Sequence, residues 1–147
     1  MTPYFYVIVP DEIPDLTGPK MAAQATHAQA KVSKAGLVFG DDRQKALYAE
    51  WEKQGSNFGT AIILIYRGNF GSLREEMENA YKQHPMVSND IYTEVLDPTY
   101  PIMNTMGRIY TESRETCIGV LVDKDEDLPI NRFLRTLDLY PQDKNIR

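Results

Sequence analysis

The sequence has little of several residue types, and each shortage excludes a class of protein. One cysteine in 147 residues rules out a disulfide scaffold and a cysteine-rich zinc site. The apolar runs are far shorter than the roughly 20 residues that a membrane-spanning helix needs. Basic residues do not predominate, with 16 Lys and Arg against 21 Asp and Glu and a net charge of −5. Any contact with RNA is therefore expected to be local and weakened by salt.

The residues that are present fit one compact domain. The length and an apolar fraction of 42% are enough for a single core, which we predict over residues 1–140, with a solvated tail over 141–147. The N-terminal residues show no signal-peptide pattern, and the single cysteine fits a reducing compartment. We therefore expect a cytoplasmic protein without membrane contact.

Four short apolar runs predict the strands. Residues 4–9 (YFYVIV), 61–66 (AIILIY) and 117–122 (CIGVLV) are continuously apolar, which is typical of strands covered on both faces. Residues 91–96 (IYTEVL) include polar side chains and predict an edge strand. Helical patterns lie at about 20–34 and 41–54, from Ser72 onward, and near 127–129. The order β-α-α-β-α-β-β-α predicts an α/β fold, a three-layer α/β/α sandwich with a mixed four-stranded sheet.

The first predicted helix carries the strongest functional signal. Its polar residues fall at i, i+4, i+7 and i+11 and share one face; they are Lys20, Gln24, His27 and Lys31. This helix begins after the first strand, at the end of the sheet where α/β proteins usually bind ligands. A lysine in the first turn of a helix also favours an anion. The other interpretation of such a face, that it is merely solvated, stays open.

A family resemblance rests on this helix. Residues 18–28 read GPKMAAQATHA and resemble the signature of the type II peptidyl-tRNA hydrolases, in which a helix begins Lys-(Ile/Met)-Ala-Ala-Gln-Cys-(Ser/Cys)-His-Ala. The stretch ETCIGVLVD at 115–123, followed by an acidic loop and a helix, is similar to the family's last strand and helix. The resemblance spans most of the chain, but its specific part is the first helix.

The family's second motif, close to Asp-Ala-Gly-Arg-Thr-Gln, has two candidate positions here. Residues 105–109 (TMGRI) keep the Gly and the Arg, as Gly107 and Arg108, but have Thr105 in place of the functional Asp. Asp97, followed by Pro98 and Thr99, supplies an acid and a hydroxyl about ten residues earlier. An inserted segment near 98–104 would return Asp97 to the site.

The resemblance implies hydrolysis of the ester that joins a peptide to the 3′ end of tRNA, without a cofactor or a metal. It implies catalytic roles for Lys20, which serves the developing charge or a phosphate, and for Asp97 and Thr99, which orient the water. Substrate contacts are expected from five residues, namely Gln24, His27, Lys31, Thr105 and Arg108.

Two other functions stay open, and the second motif motivates the first of them. With Thr105 and Ile109 in place of the family's acid and hydroxyl, the chain could bind tRNA, a nucleotide or a protein without hydrolysis. It could also cleave another small ester or amide in the same pocket. We expect a monomer or a homodimer.

Three further expectations concern single features. Tyr100 and Tyr110 lie in polar surroundings and are candidates for stacking on bases. Residues 98–110 are expected to form an exposed loop, either a lid or a contact surface. Cys117 lies in an apolar run and is expected in the core.

Overall fold

The computed structural model describes residues 1–14, 17–55, 59–83 and 90–140. Within these ranges the chain has a mixed α/β fold with one five-stranded sheet and four α-helices. None of the helices in these ranges is long and apolar enough to cross a bilayer. The predicted solvated tail, 141–147, lies outside the described residues.

The sheet contains all four predicted strands and one more. Its strands are β1 (Pro3–Pro10), β2 (Ala61–Tyr66), β3 (Ile91–Met103), β4 (Ile109–Asp123) and β5 (Asp138–Leu139). The order across the sheet is β3-β4-β1-β2-β5, so the prediction of β3 as an edge strand is confirmed. β1 and β2 are parallel, and the other neighbours are antiparallel. The prediction of four strands was wrong because β5 has two residues, too few to form an apolar run.

The helices begin where their caps allow. α1 (Gly18–Lys34) has Thr17 as its N-cap and Pro19 in its first turn, and it continues into a π-helical turn at Ala35–Phe39. α2 (Asp42–Glu52) begins with a capping box between Asp41 and Gln44. α3 (Phe70–Lys82) begins before the predicted Ser72, because Asn69 caps it by accepting from the Ser72 amide. α4 (Pro129–Arg135) is short.

Alternate residues of the strands contribute to two separate apolar clusters. The first includes Phe5 and Val7 of β1 together with side chains of α1 and α2. The second includes Ile8 of β1 together with side chains of α3 and α4. Since both faces of β1 are buried in this way, its unbroken apolar sequence is explained.

One glycine lets α1 lie close to the sheet. A Cβ at Gly119 of β4 would lie 3.0 Å from the Ala28 Cβ, which is itself fully buried, and 3.2 Å from Phe5. Side chains in the middle of α1 therefore come within reach of β4.

The expected loop at 98–110 is mostly a β-hairpin. Residues up to Met103 belong to β3, the chain turns at Gly107 with φ of 78°, and β4 begins at Ile109. Two prolines made this segment look like a loop. They are compatible with β3 because an edge strand can lack amide donors on its outer side.

Candidate functional site

Three polar side chains from α1, β3 and β4 meet beneath the edge of the sheet. The Gln24 Nε2 donates to Asp97 Oδ2 at 2.8 Å, and the Thr116 hydroxyl donates to Gln24 Oε1 at 2.7 Å. Their residual exposures are 3% for Gln24, 8% for Asp97 and 1% for Thr116. Because each end of the amide has its own protein partner, Gln24 is held in one orientation.

Irregular pairing between β3 and β4 makes this meeting possible. Val95 pairs with Cys117 but Leu96 pairs with Glu115, so Thr116 has no partner opposite it. Such a bulge breaks the strict alternation of side chains. Both Thr116 and its neighbour Cys117 consequently reach Gln24, the first through its hydroxyl and the second through a 3.7 Å contact from its thiol to the Gln24 carbonyl.

A second irregularity follows Asp97. The pairing of β3 with β4 shifts in register between Asp97 and Tyr100. The Asp97 side chain is directed toward the residues of this irregular segment. Asp97 Oδ1 accepts from the Thr99 amide at 2.9 Å, and the Thr99 hydroxyl lies 3.4 Å away. Asp97 and Thr99, two of the predicted catalytic residues, are therefore in direct contact.

The Asp97 carboxylate is held in its ionised form. Burial alone would raise its pKa, but the hydrogen bonds from Gln24 and Thr99 and the nearby His27 outweigh burial, so the pKa is lowered from its ordinary value. The His27 Nε2 lies 3.8 Å from Asp97 Oδ2, and the His27 side chain is 53% exposed. The site thus pairs a buried carboxylate with an imidazole that solvent can reach.

The two lysines of the polar face reach the edge strand on either side of Asp97. Lys20 Nζ donates to the Pro101 carbonyl at 2.7 Å and lies 5.3 Å from the centre of the Tyr100 ring. Lys31 Nζ donates to the Glu94 carbonyl at 2.6 Å. These contacts cover carbonyls of β3 and have a structural role of their own, because uncovered strand edges promote aggregation.

The other predicted residues lie elsewhere. Thr105 and Arg108 are exposed in the hairpin turn, where Asn104 accepts from the Arg108 amide. Tyr110 is 46% exposed, as a stacking residue must be, but Tyr100 is fully buried and donates to the Pro14 carbonyl at 2.8 Å. The expectation of stacking by Tyr100 was therefore wrong, because its side chain lies in the core formed with α1.

Cys117 lies in the core, as predicted. It is fully buried, and burial raises the pKa of its thiol to about 12, although the neighbouring Thr116 hydroxyl acts to lower it. A thiol that stays protonated is a poor nucleophile.

An open groove of about 460 Å³ begins at Asp97 and runs between α1 and β3. The residues that line it are His27, Ala30, Lys31, Lys34, Val95, Leu96, Asp97, Pro98 and Thr99. Its cations come from α1, and Asp97 is the one carboxylate among these nine. The described residues contain no group of three His, Cys, Asp or Glu side chains that could hold a metal ion.

Sequence analysis missed Thr116. In the sequence, Thr116 is distinguished only by its position directly before the apolar run at 117–122. That position does not indicate a contact with Gln24. The bulge that turns it toward α1 depends on pairing with β3, which no local pattern reveals.

Comparison with known proteins adds no assignment. No model of a known protein family matches the chain, and no curated protein matches it.

Proposed function

We propose that this chain hydrolyses the ester bond between peptide and tRNA in peptidyl-tRNA and releases free tRNA. The observation that carries the proposal is the buried Asp97 carboxylate, fixed by Gln24 and 3.8 Å from His27. Gln24 and His27 come from α1, the helix that resembles the type II hydrolases, and Asp97 comes from β3. The proposal includes the three-layer arrangement of that fold, tRNA as partner and a cytoplasmic location.

Attack on the ester requires a positioned water and a stabilised oxyanion. In the proposed reaction, Asp97 and Thr99 orient the water, and its proton passes to the imidazole of His27, which is here assigned as the base rather than as a substrate contact. The same proton then goes to the ribose oxygen as the ester bond to the peptide breaks. Asp97 suits the orienting role because its lowered pKa keeps it charged at neutral pH. Gln24 is assigned as a positioning residue rather than a substrate contact, since both of its amide atoms already have protein partners.

The oxyanion that forms on the ester carbonyl needs positive charge nearby. Lys20 lies in the first turn of α1, where the helix dipole adds a partial positive charge. In the proposal it serves the oxyanion or the terminal phosphate of the tRNA. Lys31 and Arg108 would contact phosphates, and Thr105 would contact the substrate from the hairpin turn.

The test is hydrolysis of an N-blocked aminoacyl-tRNA. We expect Asp97→Asn, which keeps the shape of the side chain and removes the charge, to lower the rate by about 10²–10⁴-fold, the usual contribution of general acid–base catalysis, because the water would no longer be oriented toward the His27 base. Glu50→Gln removes a carboxylate from the exposed side of α2 and is the matched control. Equal rates for Asp97→Asn and Glu50→Gln would contradict the assignment of Asp97.

A second candidate function is binding of tRNA without hydrolysis. It is favoured by the exposed position of Thr105 and Arg108 in the hairpin turn, away from the Gln24 cluster. In that case the wild-type chain binds tRNA in a salt-dependent manner and leaves the ester intact. Measured turnover by the wild type would eliminate this candidate.

A further inference from the structure

The groove beside Asp97 has the charge of a site for an anionic chain. Lys31 and Lys34 of α1 line it, and His27 lies at the end nearer to Asp97. These three residues fall at i, i+4 and i+7 and therefore share one face of the helix. They span about 10 Å along the helix axis, enough to follow a short piece of extended backbone.

The opposite wall of the groove is largely apolar. It is formed by β3 and includes Val95, Leu96 and Pro98, and Leu96 is 57% exposed. A cationic wall facing an apolar wall suits a single-stranded nucleic acid, which presents phosphates on one side and bases on the other. A purely anionic ligand would leave the apolar wall unused.

We propose that this groove holds the 3′-terminal nucleotides of the RNA, with the phosphates along Lys31 and Lys34, and that the peptide extends past Lys20 on the other side of Asp97. Of the two roles given to Lys20 above, this direction selects the oxyanion and not the terminal phosphate. The inference rests on the proposed function, which supplies the substrate. It adds the directions in which the RNA and the peptide extend from Asp97. The ester joins the terminal ribose to the peptide, so the two halves of the substrate must leave the reacting carbonyl on different sides. The groove runs from Asp97 toward Lys34, whereas Lys20 lies in the opposite direction along α1.

The decisive variant is Lys34→Glu, because Lys34 lines the groove at its far end and has no assigned part in the chemistry. We expect KM for N-blocked aminoacyl-tRNA to rise about tenfold. The same N-blocked amino acid esterified to adenosine has no phosphate. For this ester, we expect the rise in KM caused by Lys34→Glu to be several-fold smaller than for the tRNA ester. Lys34→Gln is expected to lie between the wild type and Lys34→Glu.

Lys45→Glu is the matched control, since Lys45 is exposed on α2 and the change in net charge is the same. Equal KM values for Lys34→Glu and Lys45→Glu would mean that tRNA binding depends only on the net charge of the protein. That result would overturn the proposal that RNA binds in the groove. Equal increases in KM for the tRNA and adenosine esters in Lys34→Glu would overturn it as well.

Binding separates the groove from the hydrolysis. The probe is a short single-stranded RNA with a free 3′ hydroxyl, whose affinity for the protein is measured at several salt concentrations. The slope of log affinity against log salt concentration should be smaller in magnitude for Lys34→Glu than for the wild type, by about 0.7 for each phosphate that is no longer neutralised. If the wild type cleaves neither ester but this difference from Lys45→Glu persists, the groove stands and the hydrolase proposal fails. If the wild type cleaves the tRNA ester but the RNA slope is the same in both variants, the groove fails alone.

Discussion

Two polar clusters fasten a helix to the base of the same hairpin, and they are built in opposite ways. On one face, Gln24 of α1 joins Asp97 and Thr116, all at least 90% buried. On the other face, Arg74 of α3 lies between Glu94 and Glu115. Each cluster takes one residue from a helix, one from β3 and one from β4.

The difference between the clusters is solvent exposure. Arg74 donates to Glu94 at 2.9–3.1 Å and also contacts Glu115, but the three side chains are 35%, 32% and 43% exposed. Water can replace these ion pairs, so each is worth little. Gln24 and Thr116 are only 3% and 1% exposed, so water cannot replace a partner lost within this pair, and each side chain depends on the other. The buried cluster, and not the partly exposed one, is therefore the sensitive attachment of the hairpin.

The largest expected effect on stability comes from Thr116→Val. Valine has nearly the same shape, but the Gln24 Oε1 loses its donor while it stays buried. We expect the free energy of unfolding to fall by about 1–3 kcal/mol, the usual cost of an unsatisfied buried polar group. Urea unfolding of the two proteins measures this difference. Thr116→Ser keeps the hydroxyl and should recover much of the loss. A Thr116→Val protein as stable as the wild type would show that the hydrogen bond to Gln24 contributes nothing.

The two clusters could not be foreseen equally well from the sequence. The spacing of Gln24 and His27 on one helix face was visible, and so was Asp97 as a candidate acid. The contact of Gln24 with Thr116 was not, because these residues are far apart in the chain and meet through a bulge. The Arg74 cluster was likewise hidden, since its residues lie on three elements.

A smaller effect is expected from pH. The pKa of Asp97 is lowered in the folded chain, so its charged form stabilises the fold above the unfolded pKa of about 3.9, and this contribution is lost as pH falls through the lower folded value. The wild type should therefore lose stability relative to Asp97→Asn between neutral pH and about pH 3. Unfolding curves of both proteins across this window test the sign. A difference that stays constant with pH would mean that Asp97 has no lowered pKa.

The smallest effect is expected from Arg74→Met, which keeps an unbranched side chain but removes the guanidinium, whose carbon lies 4.8 Å from the centre of the Phe70 ring. Because the ion pairs are partly exposed, we expect a loss of less than about 1 kcal/mol. Added salt should reduce this loss, whereas the loss in Thr116→Val should hardly change. Unfolding in low and high salt gives both numbers. A salt-independent loss of several kcal/mol in Arg74→Met would reverse the comparison between the clusters.

Local patterns in the sequence were sufficient to predict several of the helices and strands. Continuous apolar runs specified β1, β2 and the inner part of β4, and helical spacing specified α1. In the structure, Met21, Ala28 and Val32 of α1 are buried in the core. The sequence also marked β3 as an edge strand. Each of these features depends on residues that are only a few positions apart. The spacing of apolar residues along the sequence is therefore enough to predict them.

Tertiary structure alone decided the rest. It made residues 98–103 part of a strand, since pairing with β4 outweighs the turn preference of two prolines at a sheet edge. It added β5, buried Tyr100 and turned Thr116 toward Gln24. All four outcomes depend on contacts between distant parts of the chain, whose hydrogen bonds and packing override local preference.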